Sequence, residues 1–190
     1  MRMTGELHHI VANNIRSRRT SMLVDKDRHV PEELIHELCE LATWAPNHKR
    51  TWPWRFAVIT GPAQLRFGNT VAEAMAALGD EPAKVDKART KYARTPAVVV
   101  VGSAVGDSEL RTIENRDATA AAIQNFMLAA TSRGLATYWG SCPKGANDPV
   151  AQFCAFDTDT AVVCIMYLGW ATSTVEAPER PQPSINYLND

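Results

Sequence analysis

The run Ala97-Val98-Val99-Val100-Val101-Gly102 is β-branched almost throughout and carries no polar residue. A strand with one wet face alternates apolar and polar side chains, whereas an unbroken run of this kind belongs to a strand covered on both faces. Thr160 to Gly169, through Val162, Val163, Ile165 and Leu168, has the same character. Both are predicted as buried strands, so helices are needed on their faces, and the flanking sequence supplies them. Upstream, Arg55 to Thr60 reads as a strand closed by Gly61-Pro62, followed by helices over 62–79 and 82–93, the second charged and exposed. Downstream, Thr112 to Arg133 is an alanine-rich helix whose small residues (Ala118, Ala120, Ala121, Ala122) permit close packing while Ile123, Phe126 and Leu128 fill a core; Gly134 caps it. Leu135 to Trp139 is a short strand and Pro149 to Phe156 a short helix. In front stand an amphipathic helix built on Leu7, Ile10, Val11 and Ile15, ending near Arg18-Arg19, and a second opened by Pro31-Glu32-Glu33 and stopped at Ala45-Pro46. Helices alternating with strands over a sheet of about four strands indicate a layered α/β or α+β sandwich.

Length and composition agree with one domain over residues 1–190. The chain has 20 basic and 21 acidic residues, a formal charge of −1, which excludes non-specific nucleic-acid binding, and its 45% hydrophobic content is that of a globular chain. The apolar runs fall well short of the ~18 residues that a spanning helix needs. Met1 to His9 has no apolar run behind its positive charge, so a secretory signal is not expected and the cytoplasm is the expected location. Four cysteines without Cys-x-x-Cys spacing read as reduced thiols; only Cys142, in a Gly-Ser-Cys-Pro turn, leaves a reactive thiol open beside the buried one. The tail over 172–190, with Pro178, Pro181 and Pro183, should be extended over a surface.

Several chemistries lack their residues. The five histidines form no metal motif, the serines lack a nucleophile elbow, and neither a Rossmann glycine turn nor a Walker loop is present. Three segments remain. Arg18-Arg19-Thr20-Ser21 sets two guanidinium forks and two hydroxyls at a helix end, which suits a phosphate and equally complements the helix dipole. Trp44-Ala-Pro-Asn-His48, followed by Pro53-Trp54-Arg55-Phe56, gathers aromatic and polar donors in a loop fit for a planar ligand or for an interface. Gly134 to Pro143 leads from a capped helix through a strand into a turn with free backbone donors.

In their order, Arg-Arg-Thr, Ala-Pro-Asn-His, Thr-x-Pro-Trp-Arg-Phe and Gly-Leu-x-x-x-Trp-x-Ser, these segments resemble the flavin-dependent nitroreductase family, nearest its small members, from about Leu7 to the tail. The resemblance implies an α+β sandwich with a central, mostly antiparallel sheet flanked by helices, a homodimer, and one flavin mononucleotide (FMN) in each of two clefts at the dimer interface. Arg18, Arg19 and Thr20 match positions that hold the phosphate and the polar side of the flavin. Trp44 and His48 match positions that reach it from the other subunit, and His48 is a candidate proton donor. Trp139, Gly140 and Ser141 match the turn on its far side. Gly140 departs from the arginine common there, and Arg180 in the tail is the candidate replacement. The implied activity is ping-pong hydride transfer from NADH or NADPH to a nitroaromatic, quinone or enone, with no catalytic side chain required because the flavin carries the chemistry. No metal, nucleic acid or membrane is implied. A non-catalytic flavin-binding sensor or store on the same fold is the alternative, and a structural dimer module the third reading.

Overall fold

The computed structural model describes residues 5–189. Five strands form one sheet in which every strand pair is antiparallel: β1 (Val24–Asp25), β2 (Trp54–Thr60), β3 (Ala97–Ala104), β4 (Leu135–Gly140) and β5 (Thr160–Ala171). The valine-rich β3 lies between β2 and β5, with Val99 opposite Val58 on one side and Met166 on the other, which is why its run from Ala97 to Gly102 carries no polar residue. β5 is the hub. β3 runs along one of its edges and β4 along the other, and the two-residue β1 pairs with Trp170 and Ala171 beyond the end of β3. The sheet is therefore four strands wide; β1, too short for any periodicity, is the strand the sequence did not reveal.

Alternation along β3 sends neighbouring residues to opposite layers. Val99 and Val101 face α2 (Glu32–Ala42) and α5 (Glu109–Ser132), where Leu38, Ile123 and Phe126 are fully buried. Val98 and Val100 face α3 (Ala63–Ala77), α4 (Pro82–Lys91) and α6 (Asn147–Phe153), packed on Phe67, Tyr92 and Val150. α5 starts at Glu109 rather than Thr112 because the Ser108 hydroxyl accepts the Arg111 amide at 3.2 Å. α2 stops at Ala42, three residues short of Ala45, as Thr43, Trp44 and Ala45 take up single-turn hydrogen bonds ahead of Pro46.

α1 (Gly5–Ser17) stands apart, since it buries no residue and leaves Ile10, Val11 and Ile15 about half exposed. Its anchor is Asn14, whose amide donates to the Leu128 carbonyl of α5 at 3.1 Å. Residues 172–189 are extended and exposed, as their prolines suggest. No helix among the described residues is long and apolar enough to cross a membrane.

Candidate functional site

α1 ends at Ser17, which leaves Arg18 to Ser21 as an extended segment beside the edge of β4. The Ser21 amide donates to the Thr137 carbonyl at 3.0 Å, and Thr20 bridges Thr137 in parallel register. This seam fixes the arginine pair against the strand. Arg19 turns one terminal nitrogen back onto the Arg18 carbonyl at 2.7 Å, yet its buried Nε has no partner, and across the seam the buried Thr137 hydroxyl has none either. Buried polar atoms are nearly always bonded, so two unpartnered ones on facing segments set this seam apart from an ordinary strand edge. Burial, reinforced by the positive charges of Arg19 and Arg180, holds the Arg18 pKa below its ordinary value. The charge of Arg180 in the tail is thus felt at Arg18, and among the described residues no carboxylate is bonded to Arg18, Arg19 or Arg180.

Two residues beyond the bridge, Met22 enters a cavity of about 540 Å³ between β4 and α4, whose walls include Gly140, Ser141, Tyr138 and Tyr167. Trp139, by strand alternation, points the other way and packs with the α5 layer. Tyr138 meets Tyr167 edge-on at 5.8 Å, and Tyr167 stacks on Tyr92 at 5.7 Å. Tyr92 is anchored through its carbonyl, which with that of Thr95 accepts from the buried Gln64 amide at 2.8 Å. Its hydroxyl is buried without a partner, and burial raises its pKa.

The remaining wall was not legible in the sequence. α4, expected to be merely a charged and exposed helix, turns Lys84, Lys87 and Lys91 toward this cavity, and Arg94 follows. Spacings of three and four place the lysines on one helical face, a signal that was present but that an exposed helix shows just as well. Lys91 is half-buried and its pKa is lowered by that burial, while Lys84 and Lys87 stand at the rim. No acidic residue lines the cavity.

Trp44 and His48 lie elsewhere. Among the described residues no hydrogen bond joins either of them to the arginine seam, and neither lines the cavity. Trp44 is 77% exposed, its indole donating to Glu40. His48 is exposed, with Nε2 4.0 Å from a Glu114 carboxylate oxygen. Their loop is nevertheless tightly built. The Asn47 side chain donates to the Thr51 hydroxyl at 3.0 Å and accepts the Trp52 amide at 2.8 Å, and Thr51 bonds the buried Asn115 at 2.6 Å. Lys49, Arg50 and Trp52 all take positive φ (60°, 53° and 48°), a strain of order 1–3 kcal/mol each that these hydrogen bonds hold in place.

Cys142 follows the cavity turn. Burial, partly offset by Lys91, pushes its pKa up to about 11, so it is a protonated thiol at neutral pH and no nucleophile. Among the described residues no cluster of histidine, cysteine or carboxylate side chains could hold a metal.

The sequence matches the family model described as the nitroreductase family over residues 15–170. The chain belongs to the nitroreductase family. YfhC of Bacillus subtilis, whose name as an NAD(P)H nitroreductase is provisional, is 28% identical over 178 residues, covering 91% of this chain and 90% of YfhC. A nitroreductase-like family protein of Bacillus cereus superposes with a TM-score of 0.75 at 30% identity, covering 90% of this chain and 91% of that one. The FMN-dependent nitroreductase NfnB of Mycobacterium smegmatis, solved with NADPH, shares the fold at a TM-score of 0.69 and 21% identity, covering 87% and 89% of the two chains. In this family member, then, the α+β sandwich with an antiparallel sheet is the family's fold.

Proposed function

We propose that this nitroreductase is an FMN-dependent oxidoreductase that takes hydride from NADH or NADPH and passes it to a small nitroaromatic, quinone or enone acceptor. The observation that carries the reading is the seam of Arg18 and Arg19, with two unpartnered polar atoms and the charge of Arg180 acting on it, two residues along the chain from Met22 in the wall of a cavity that Gly140 and Ser141 also line. A phosphate suits that seam, because guanidinium forks match its oxygens and a phosphate oxygen is the acceptor the Arg19 Nε lacks. The cavity is large enough for a flavin ring, and the tyrosines and Ile165 give it flat apolar walls. In this reading Arg180 takes over the charge that an arginine at Gly140 would contribute.

When bound, FMN supplies the redox chemistry, accepting a hydride from one substrate and returning it to the next. The protein's own residues then have four tasks. The arginines and Thr20 hold the phosphate, Gly140 and Ser141 offer polar groups to the ring edge, the tyrosine stack excludes water from one side, and Lys91 supplies positive charge deep in the cavity. No step requires Cys142. Both substrates use the one open side in turn, which gives ping-pong kinetics.

Trp44 and His48 enter through a second copy of the chain. The strained loop, the exposed indoles of Trp44 and Trp52 and the unburied apolar face of α1 are surfaces that a homodimer would cover. His48 of that second copy is the proton donor of the proposal. The absorption spectrum of the purified protein tests the core of it: a flavin spectrum, with FMN released on denaturation, is expected, and a colourless protein that takes up no FMN would overturn it. Bleaching by NADH or NADPH, followed by recovery with an acceptor, separates the enzyme from a flavin-binding sensor or store.

A further inference from the structure

One flavin phosphate needs one cationic cradle, and the seam of Arg18, Arg19 and Arg180 provides it. The cavity nevertheless has a second cationic wall on a different element. Along α4, Lys84, Lys87 and Lys91 face the cavity in a row of about 10 Å, given a rise of ~1.5 Å per residue. The row is graded in depth. Lys91 is half-buried with its ammonium 4.8 Å over the Tyr92 ring, whereas Lys87 is exposed and the Lys84 side chain is 69% exposed. The deep end serves whatever fills the cavity, and the rim faces whatever approaches it.

The rim cations are scarcely neutralised. Lys84 has only the exposed Glu81, 3.3 Å away in the preceding turn, and Lys87 has no ion pair among the described residues. Positive groups that converge on one opening with a single exposed carboxylate among them repel one another, so a polyanion binding there relieves the repulsion as well as forming bonds.

We propose that Lys84 and Lys87 form a phosphate site for the hydride donor, holding the pyrophosphate or the 2′-phosphate of a nicotinamide dinucleotide at the cavity mouth. This rests on the function proposed above. Lysine suits the task, since a flexible point charge can hold a departing ligand without the fixed fork that would retain it. A donor that must leave before the acceptor enters is better served by such contacts.

Binding to the FMN-loaded protein, read by calorimetry at fixed ionic strength, provides the test without turnover. The probes are 5′-AMP, ADP and 2′,5′-ADP, and the variants are Lys84→Gln/Lys87→Gln and, as a control off the cavity wall, Arg89→Gln. The wild type is expected to bind ADP or 2′,5′-ADP more tightly than 5′-AMP, and the double variant to lose roughly tenfold or more in that affinity, with FMN retained and Arg89→Gln unchanged. Loss confined to 2′,5′-ADP assigns the site to the 2′-phosphate and hence to NADPH; loss confined to ADP, the one probe with a pyrophosphate, assigns it to the pyrophosphate. Unchanged affinities in the double variant, or release of FMN from it, would overturn the proposal, the second by giving these lysines to the flavin. A protein that holds no FMN but still binds ADP or 2′,5′-ADP through these lysines would overturn the flavin reading and leave the phosphate site standing.

Discussion

Arg19 carries the sharpest single-residue expectation. Its unpartnered Nε is an unmet donor until an anion arrives, so Arg19→Ala should weaken FMN binding by about 1.5–3 kcal/mol, roughly ten- to a hundredfold, on titration of apoprotein. Arg89→Ala should leave it unchanged, because Arg89 pairs outward with Asp86 at 3.7 Å. Equal effects would reduce the arginine pair to a helix-end feature. Cys142→Ser should retain turnover and ping-pong kinetics, since burial keeps that thiol protonated near neutrality, and its alkylation should accelerate as pH rises toward about 11. A dead variant that keeps its flavin would count against a mechanism without a thiol. Arg18 to Ser21 were legible because two adjacent arginines before hydroxyls are chemically unusual. Lys84, Lys87 and Lys91 were not, because lysines on a polar helix look the same whether they face bulk water or a cavity.

Among the elements, α3 and α4 set the cavity wall by close approach. A methyl group at Gly68 would sit 2.2 Å from the Arg89 carbonyl oxygen, so Gly68→Ala must push α4 outward. Overpacking of this kind costs about 1–3 kcal/mol, a drop in Tm of several degrees, and here it should also weaken FMN, because the displaced helix carries Lys91 and leads into Tyr92. Thermal unfolding with and without FMN checks both effects; a cooler Tm with unchanged flavin affinity would detach α4 from the site. The long elements were readable from pattern alone, β3 from its valines and α5 from its alanines. The shorter features depend on partners distant in sequence. β1 exists only because Trp170 and Ala171 extend past β3, and the end of α2 moved because Pro46 acts through a turn rather than directly.

For the molecule as a whole, four thiols share one direction of shift. Burial raises Cys39 and Cys154 to about 12 and Cys142 to about 11, from an ordinary value of 9.0, and raises Cys164 as well. The folded state therefore keeps protons that the unfolded chain gives up above pH 9, and stability present below that pH should fall as pH climbs toward 11–12. Denaturant midpoints from pH 8 to 11 should decline, and less steeply once Cys142 and Cys154 are replaced by Ser. Sedimentation should give twice the chain mass, and a mixed dimer of His48→Ala with Arg19→Ala subunits should recover one working site of two; recovery of none would deny the sharing of Trp44 and His48. The loop that carries these two residues was recognised by composition, but its destination could not be read within one chain.

α1 gives that assembly a thermodynamic signature. Thirteen residues with nothing buried are too short to stay helical in water unaided, and the Asn14 to Leu128 bond is a single tether. Backbone amides of α1 should exchange with deuterium quickly in dilute solution and slowly in concentrated solution, while those of β3 are indifferent to concentration. Because the arginine pair lies between that helix and the seam on β4, the affinity for its anion should become a function of how much protein is in the tube. Simple dilution, with no change of buffer, should make the yellow colour leave.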